Sequence, residues 1–144
     1  VVSKQEAFDR YLAKGRGAYV DRFRLSPADS IGVIRGAGGL AVLAHPFTLE
    51  KSRTELKKSV KELKELGLSG IEVHYSEHNR EQVDQYLALA RGLDLLVTGG
   101  SDFHGEINPQ VKLGRGFGRL CVSDELLAEL KRAVTAPEPG GSGN

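Results

Sequence analysis

Five consecutive residues, Leu40-Ala41-Val42-Leu43-Ala44, carry no polar side chain. Side chains of an extended segment alternate between two faces, so a strand built from this run is apolar on both. It suits only a place covered on both sides, as in a parallel sheet flanked by helices. Two more short runs, residues 70–74 and 95–98, have strand character, and helix patterns lie between all three. The first helix pattern covers residues 53–66, with Leu56, Val60, Leu63 and Leu66 inward and mixed Lys and Glu outward. That charge run reads as a solvated face because both signs are interleaved. The second is capped by Asn79, carries Val83, Tyr86, Leu87 and Ala90, and stops at Gly92. Strands alternating with helices predict an α/β fold with parallel pairing and right-handed crossovers.

The flanks are weaker. Ser3 to Glu6 forms a capping box, with Phe8, Tyr11 and Leu12 at helical spacing before Gly15. Ser26-Pro27 opens a helix with Ile31, Ile34 and Ala37 as its apolar stripe. A fourth, weaker strand is expected at residues 119–122. Ser123 then caps a last helix carrying Leu126, Leu127, Leu130 and Val134, and residues 137–144 read as a disordered tail.

A chain of 144 residues supports one domain with a real core. Its net charge of +1 gives no general attraction for polyanions, so nucleic acid would need a local patch. The single cysteine, Cys121, excludes an intrachain disulfide, reads as a buried small hydrophobe and fits a reducing cytoplasm. No run approaches the roughly 18 apolar residues of a membrane span, and no signal peptide is visible. The chain starts at Val1 and contains no Met, which points to a fragment or a trimmed product.

Chemistry concentrates at the carboxyl ends of the expected strands. His45 follows the first, His74 ends the second with His78 just beyond, and Asp102 and His104 follow the third. In parallel α/β folds sites form at those ends. All four histidines fall there and none on a helix, which argues for a shared site. Asp102 and His104, two positions apart, can point at one spot and hold a divalent ion. Imidazoles with a carboxylate suit Zn, Mn or Fe better than Ca or Mg. Blander readings stand beside these: His45 as a turn residue, Asp102 as a loop cap with His104 its surface partner, His74 as a packed core imidazole, His78 as a solvated residue. Glu72 is either a ligand, an orienter of one, or half of a plain ion pair. Lys112 to Gly118 is Gly-rich and basic, fit either to offer backbone N–H groups and a cation to a phosphate or to be a flexible or fold-closing loop. No nucleophilic Ser or Cys arrangement is evident, so no catalytic residue is assigned.

Residues 37–46 (Ala-Gly-Gly-Leu-Ala-Val-Leu-Ala-His-Pro), 70–73 (Gly-Ile-Glu-Val) and 100–105 (Gly-Ser-Asp-Phe-His-Gly) resemble the later motifs of the polymerase and histidinol phosphatase (PHP) superfamily. Residues 6–20 are similar to its branch of metal-dependent phosphoesterases, which includes nucleoside 3′,5′-bisphosphate phosphatases and 5′–3′ exoribonucleases. The resemblance implies the carboxyl-terminal part of a distorted (β/α)7 barrel. Residues 1–25 would be the end of a small helical insertion, 26–136 the barrel portion and 137–144 the tail. It implies His45, Asp102 and His104 as metal ligands, and His78 and Arg16 as residues facing substrate. It further implies Mn, Zn or Fe in a di- or trinuclear cluster, and a small phosphorylated substrate, a nucleotide or RNA ends. Gly17 stands where the family has Pro. The family's opening His-x-His motif and the ligands after it do not occur, so the chain resembles the carboxyl-terminal half of such an enzyme, inactive alone. A half-barrel would dimerise or pair with its missing half. The competing reading is a non-catalytic α/β binding or assembly module.

Overall fold

The computed structural model describes residues 1–21 and 23–135; the expected tail at 137–144 lies outside them. Three parallel strands form one sheet in the order β1 (Val42–Leu43), β2 (Gly70–Tyr75), β3 (Leu96–Gly100). The amino-terminal segment holds α1 (Lys4–Ala7), continued by a π-helical turn over Phe8–Leu12. Next come α2 (Pro27–Gly36) before β1, α3 (Arg53–Glu65) between β1 and β2, α4 (Arg80–Gly92) between β2 and β3, and α5 (Asp124–Thr135) last. The α/β alternation is the one the apolar pattern predicts.

The helix starts follow from their caps. The Ser3 and Ser26 hydroxyls accept N–H bonds three residues on, from Glu6 and Asp29. Ser52 with Glu55 opens α3, and Asn79 with Gln82 opens α4, each as a reciprocal capping box. The core lies between the sheet and its helices. Ile71 and Val73 of β2, Leu56 and Val60 of α3, and Tyr86, Leu89 and Ala90 of α4 meet there, with Ile31, Ala41, Leu68 and Leu95. Burial of such side chains, each contributing roughly 1.5–3 kcal/mol, is what holds the layers together.

Several expectations fail at the periphery. Residues 119–122 do not form a strand. The Leu120 N–H bonds back to the Arg115 carbonyl, so the segment lies beside β3 without joining its ladder. Cys121 is consequently exposed instead of buried. Leu66 caps the carboxyl end of α3, just past its last residue, and is 46% exposed, and Ile34 of α2 is 41% exposed. The stripe of α5 is only partly covered: Leu126 and Leu130 are half-buried, while Leu127 is 51% and Val134 53% exposed.

Candidate metal centre

Because the strands are parallel, their carboxyl ends open on one side, and the chain leaves each through a tight turn. Two of those turns contain non-glycine residues in the left-handed region: His45 with φ 38° after β1, and Asp102 with φ 53° after β3. L-residues pay roughly 1–2 kcal/mol for that conformation, and it persists only where the surroundings impose it. For His45 the hold is visible. Its backbone N–H donates to Glu72 Oε2 of β2 at 2.9 Å. Its ring lies 5.0 Å from the Tyr75 ring.

The side chains converge around Asp102. Its Oδ2 accepts the Tyr75 hydroxyl at 3.2 Å and lies 3.9 Å from His45 Nε2. Its Oδ1 lies 3.6 Å from His104 Nδ1. His45 Nε2 is also 3.9 Å from Glu72 Oε2. The His104 Nδ1 group sits 2.7 Å from the Asp102 carbonyl oxygen. A carbonyl only accepts, so Nδ1 of this ring is the donor, and in the neutral imidazole the lone pair is on Nε2. Tyr75 is pushed up to about 12, first by burial and then by the carboxylates of Glu77, Asp102 and Glu72. Its proton therefore stays in place to bond Asp102 across the neutral range.

His45, Asp102 and His104 are thus brought together, with Glu72 serving His45 as an orienting acceptor. His74 stands apart, on the wall of a cavity of about 230 Å³ that also touches Arg119 and Cys121. Its pKa is lowered, chiefly by burial and then by His78. His78 is half-buried rather than solvated. Its Nδ1 donates to the Val73 carbonyl at 2.8 Å, and its ring packs between Phe47, Tyr75 and Tyr86. Its Nε2 is buried without a partner among the described residues. Arg16 lies in the turn after the first helical segment, where the backbone bonds stay local, from Arg16 N–H to Ala13 and from Tyr19 N–H to Arg16.

Lys112 to Gly118 closes the fold. Its N–H groups are used within the turn: Lys112 and Gly116 bond each other, Arg115 bonds Lys112, and Gly118 bonds Arg115. The Gly114 N–H donates to the buried Ser101 hydroxyl at 3.2 Å, and the Ser76 hydroxyl donates to the Ser101 carbonyl at 2.8 Å. This loop therefore latches the ends of β2 and β3 beside Asp102, with the N–H groups of Lys112, Gly114, Arg115, Gly116 and Gly118 already bonded.

Sequence reading missed Tyr75 and this latch. Tyr75 lies next to His74 in an apolar-looking strand, and nothing in the pattern marks its hydroxyl. The donor chemistry of His45, Asp102 and His104 fits a divalent transition metal. The set is partial, since among the described residues no three His, Cys, Asp or Glu side chains close around an ion.

No family model matches the chain. Curated relatives do. Over 104 residues it is 34% identical to a 3′,5′-nucleoside bisphosphate phosphatase of Chromobacterium violaceum, covering 72% of this chain and 36% of the relative. Over 113 residues it is 36% identical to the 5′-3′ exoribonuclease Rnm of Escherichia coli K12, covering 78% of this chain and 38% of the relative. A solved structure from Bifidobacterium adolescentis, assigned as a metal-dependent phosphoesterase, superposes with a TM-score of 0.68 at 28% identity over 93% of this chain and 45% of that one. The chain spans well under half the length of these relatives. The later motifs, the shared α/β fold and these relatives agree: the chain belongs to the PHP superfamily, of which it matches the carboxyl-terminal part.

Proposed function

We propose that this chain supplies the carboxyl-terminal half of a metal-dependent phosphoesterase that hydrolyses a nucleotide or nucleoside bisphosphate. The observation that carries the reading is the gathering of His45, Asp102 and His104 at the carboxyl ends of β1 and β3, with Glu72 and Tyr75 of β2 holding them. In this reading His45, Asp102 and His104 are ligands to Mn, Zn or Fe in a di- or trinuclear site, and the remaining ligands come from the rest of the barrel. An ion held there would neutralise charge building on a phosphoryl group and supply an acidified water. The chain's own part is to present the Asp102 carboxylate, the His45 imidazole and the free Nε2 of His104 toward it. The tautomer of His104 is set for this by its bond to the Asp102 carbonyl.

Residues 1–25 would be the end of a helical insertion and 26–136 part of a distorted (β/α)7 barrel. Apolar side chains left open, such as Phe23 at 90% exposed, suit pairing with a second copy or with the other half. No helix among the described residues is long and apolar enough to cross a membrane, and the unpaired Cys121 suits the cytoplasm. Arg16 and His78 remain candidates for substrate contact only if the missing half moves the first toward the site and the second out of its aromatic packing.

The test is phosphate release from a nucleoside 3′,5′-bisphosphate with Mn, by the chain alone and mixed with the part of the C. violaceum phosphatase that it does not cover. Hydrolysis is expected in the mixture, with little by the chain alone. Elemental analysis should show metal that is lost in His45→Ala and Asp102→Ala. No hydrolysis in the mixture and metal content unchanged by those substitutions would sink the proposal. The likeness to the E. coli relative favours a second reading, action on RNA ends. Short oligoribonucleotides assayed beside the bisphosphate separate the two.

A further inference from the structure

Glu72 and Tyr75 are three positions apart on β2. In a regular strand such residues face opposite sides. Here both reach His45, Glu72 through its carboxylate and Tyr75 through its ring. The strand is not regular. Glu72 pairs with Thr98 and His74 with Gly99, so β2 takes two steps where β3 takes one. An extra residue of this kind bends the strand and re-aims the side chains beyond it.

Gly99 pairs with His74, immediately past the extra residue. A Cβ on it would stand 2.6 Å from both the Cβ and the carbonyl oxygen of His74, and 3.1 Å from Val122 Cγ2. Real Cβ atoms do not approach backbone so closely, so the irregular pairing requires glycine at this position.

We propose that this offset in β2, made possible by Gly99, is what delivers Tyr75 to Asp102, and that Tyr75 is a positioning residue. Its hydroxyl fixes the Asp102 carboxylate with Oδ2 toward His45 and Oδ1 toward His104. The ring keeps the other side of His45 in place, backed by Phe47 at 5.8 Å. Without that hydroxyl, Asp102 keeps its backbone turn but its carboxylate is free to rotate. The inference rests on the proposed ligand role of His45 and Asp102.

The experiment compares the wild-type chain with Tyr75→Phe, Tyr75→Leu and Gly99→Ala. Thermal unfolding and Mn binding by titration calorimetry are measured on each, with the 13Cγ shift of Asp102 recorded without metal. Phe keeps the packing and loses only the hydroxyl. A positioning role predicts that Tyr75→Phe unfolds near the wild-type temperature yet binds Mn roughly 10- to 100-fold more weakly, as supporting groups around metal ligands do. It predicts that Tyr75→Leu binds equally weakly while also unfolding earlier. A merely structural role predicts wild-type affinity in Tyr75→Phe, and that result would overturn the proposal. Gly99→Ala, where it folds, should move the Asp102 shift in the same direction as Tyr75→Phe; a wild-type shift there would refute the part assigned to the offset. Should the wild-type chain bind no Mn on its own, the carboxylate shift decides. A shift moved by Tyr75→Phe supports the positioning role, and an unmoved one rejects it.

Discussion

Gly116 tests the latch that closes the site. Its φ is +54°, and a Cβ there would overlap the Ser76 hydroxyl and stand 3.0 Å from Ser76 Cβ and 3.4 Å from Ser76 Cα. Gly114 shares the loop and the left-handed backbone, with φ +69°, but a Cβ on it meets nothing within 4 Å. Alanine at either position therefore carries the same conformational cost of roughly 1–2 kcal/mol. Only Gly116→Ala adds a steric conflict, worth about 1–3 kcal/mol in packed surroundings. Ser76 cannot swing aside freely, because its hydroxyl holds the Ser101 carbonyl at 2.8 Å. Moving it forfeits about 1 kcal/mol more. Gly116→Ala should thus be less stable than Gly114→Ala by about 2–4 kcal/mol. With a urea slope near 2 kcal/mol/M, the midpoints differ by about 1–2 M. Adding Ser76→Ala to Gly116→Ala removes the overlapping oxygen and should recover part of the gap. Equal midpoints for the two glycine variants, followed by circular dichroism in urea, would refute the latch.

Ile71 is fully buried in β2, so Ile71→Ala should lower stability by about 2–5 kcal/mol in the same urea assay. Ser52→Ala removes both the cap of α3 and the partner of Glu55, and should cost about 1 kcal/mol, seen as a small drop in midpoint. For His74 the folded pKa lies below the 6.5 of the open chain, so the folded state resists protonation. Its contribution is full above pH 6.5 and is lost as pH falls below it, toward the lowered folded value. The fall in unfolding midpoint on acidification should therefore be shallower in His74→Gln than in wild type, and an identical pH profile would count against it.

The sheet and its helices were legible because each strand and helix announces itself within a few residues. The unalternated 40–44 run, the Ser52–Glu55 and Asn79–Gln82 boxes, and the glycines after α3 and α4 are local signals, and local physics decides them. Residues 119–122 show the opposite case. Their apolar character is real, but a strand needs a partner edge in register, and the preceding glycine turn bonds Leu120 to Arg115 instead. Exposure of Cys121 follows from that one loss. The α5 stripe is likewise readable as amphipathic, while what covers it is not written in its own sequence.

The site divides in the same way. That His45, Asp102 and His104 share a locality followed from their placement after parallel strands. That Glu72 orients His45 was one of several readings, and the bond from the His45 N–H to its Oε2 agrees with it. Tyr75 was hidden because strand alternation assigns it to the side of Val73, and the offset next to Gly99 cancels that rule. His78 went to the aromatic cluster because its Nδ1–H finds the Val73 carbonyl five residues back, a bond that no spacing rule predicts.

The left-handed backbone at His45 and Asp102 has a consequence for anyone improving this chain as a reagent. Glycine, and to a lesser degree asparagine, relaxes that conformation at both places. A library screened for heat resistance alone would therefore enrich such replacements at these two positions and return sturdier chains without the His45 imidazole and the Asp102 carboxylate. Sequences evolved under selection for chemistry should resist that drift, so the two residues that a stability screen is most ready to discard are the ones to hold fixed.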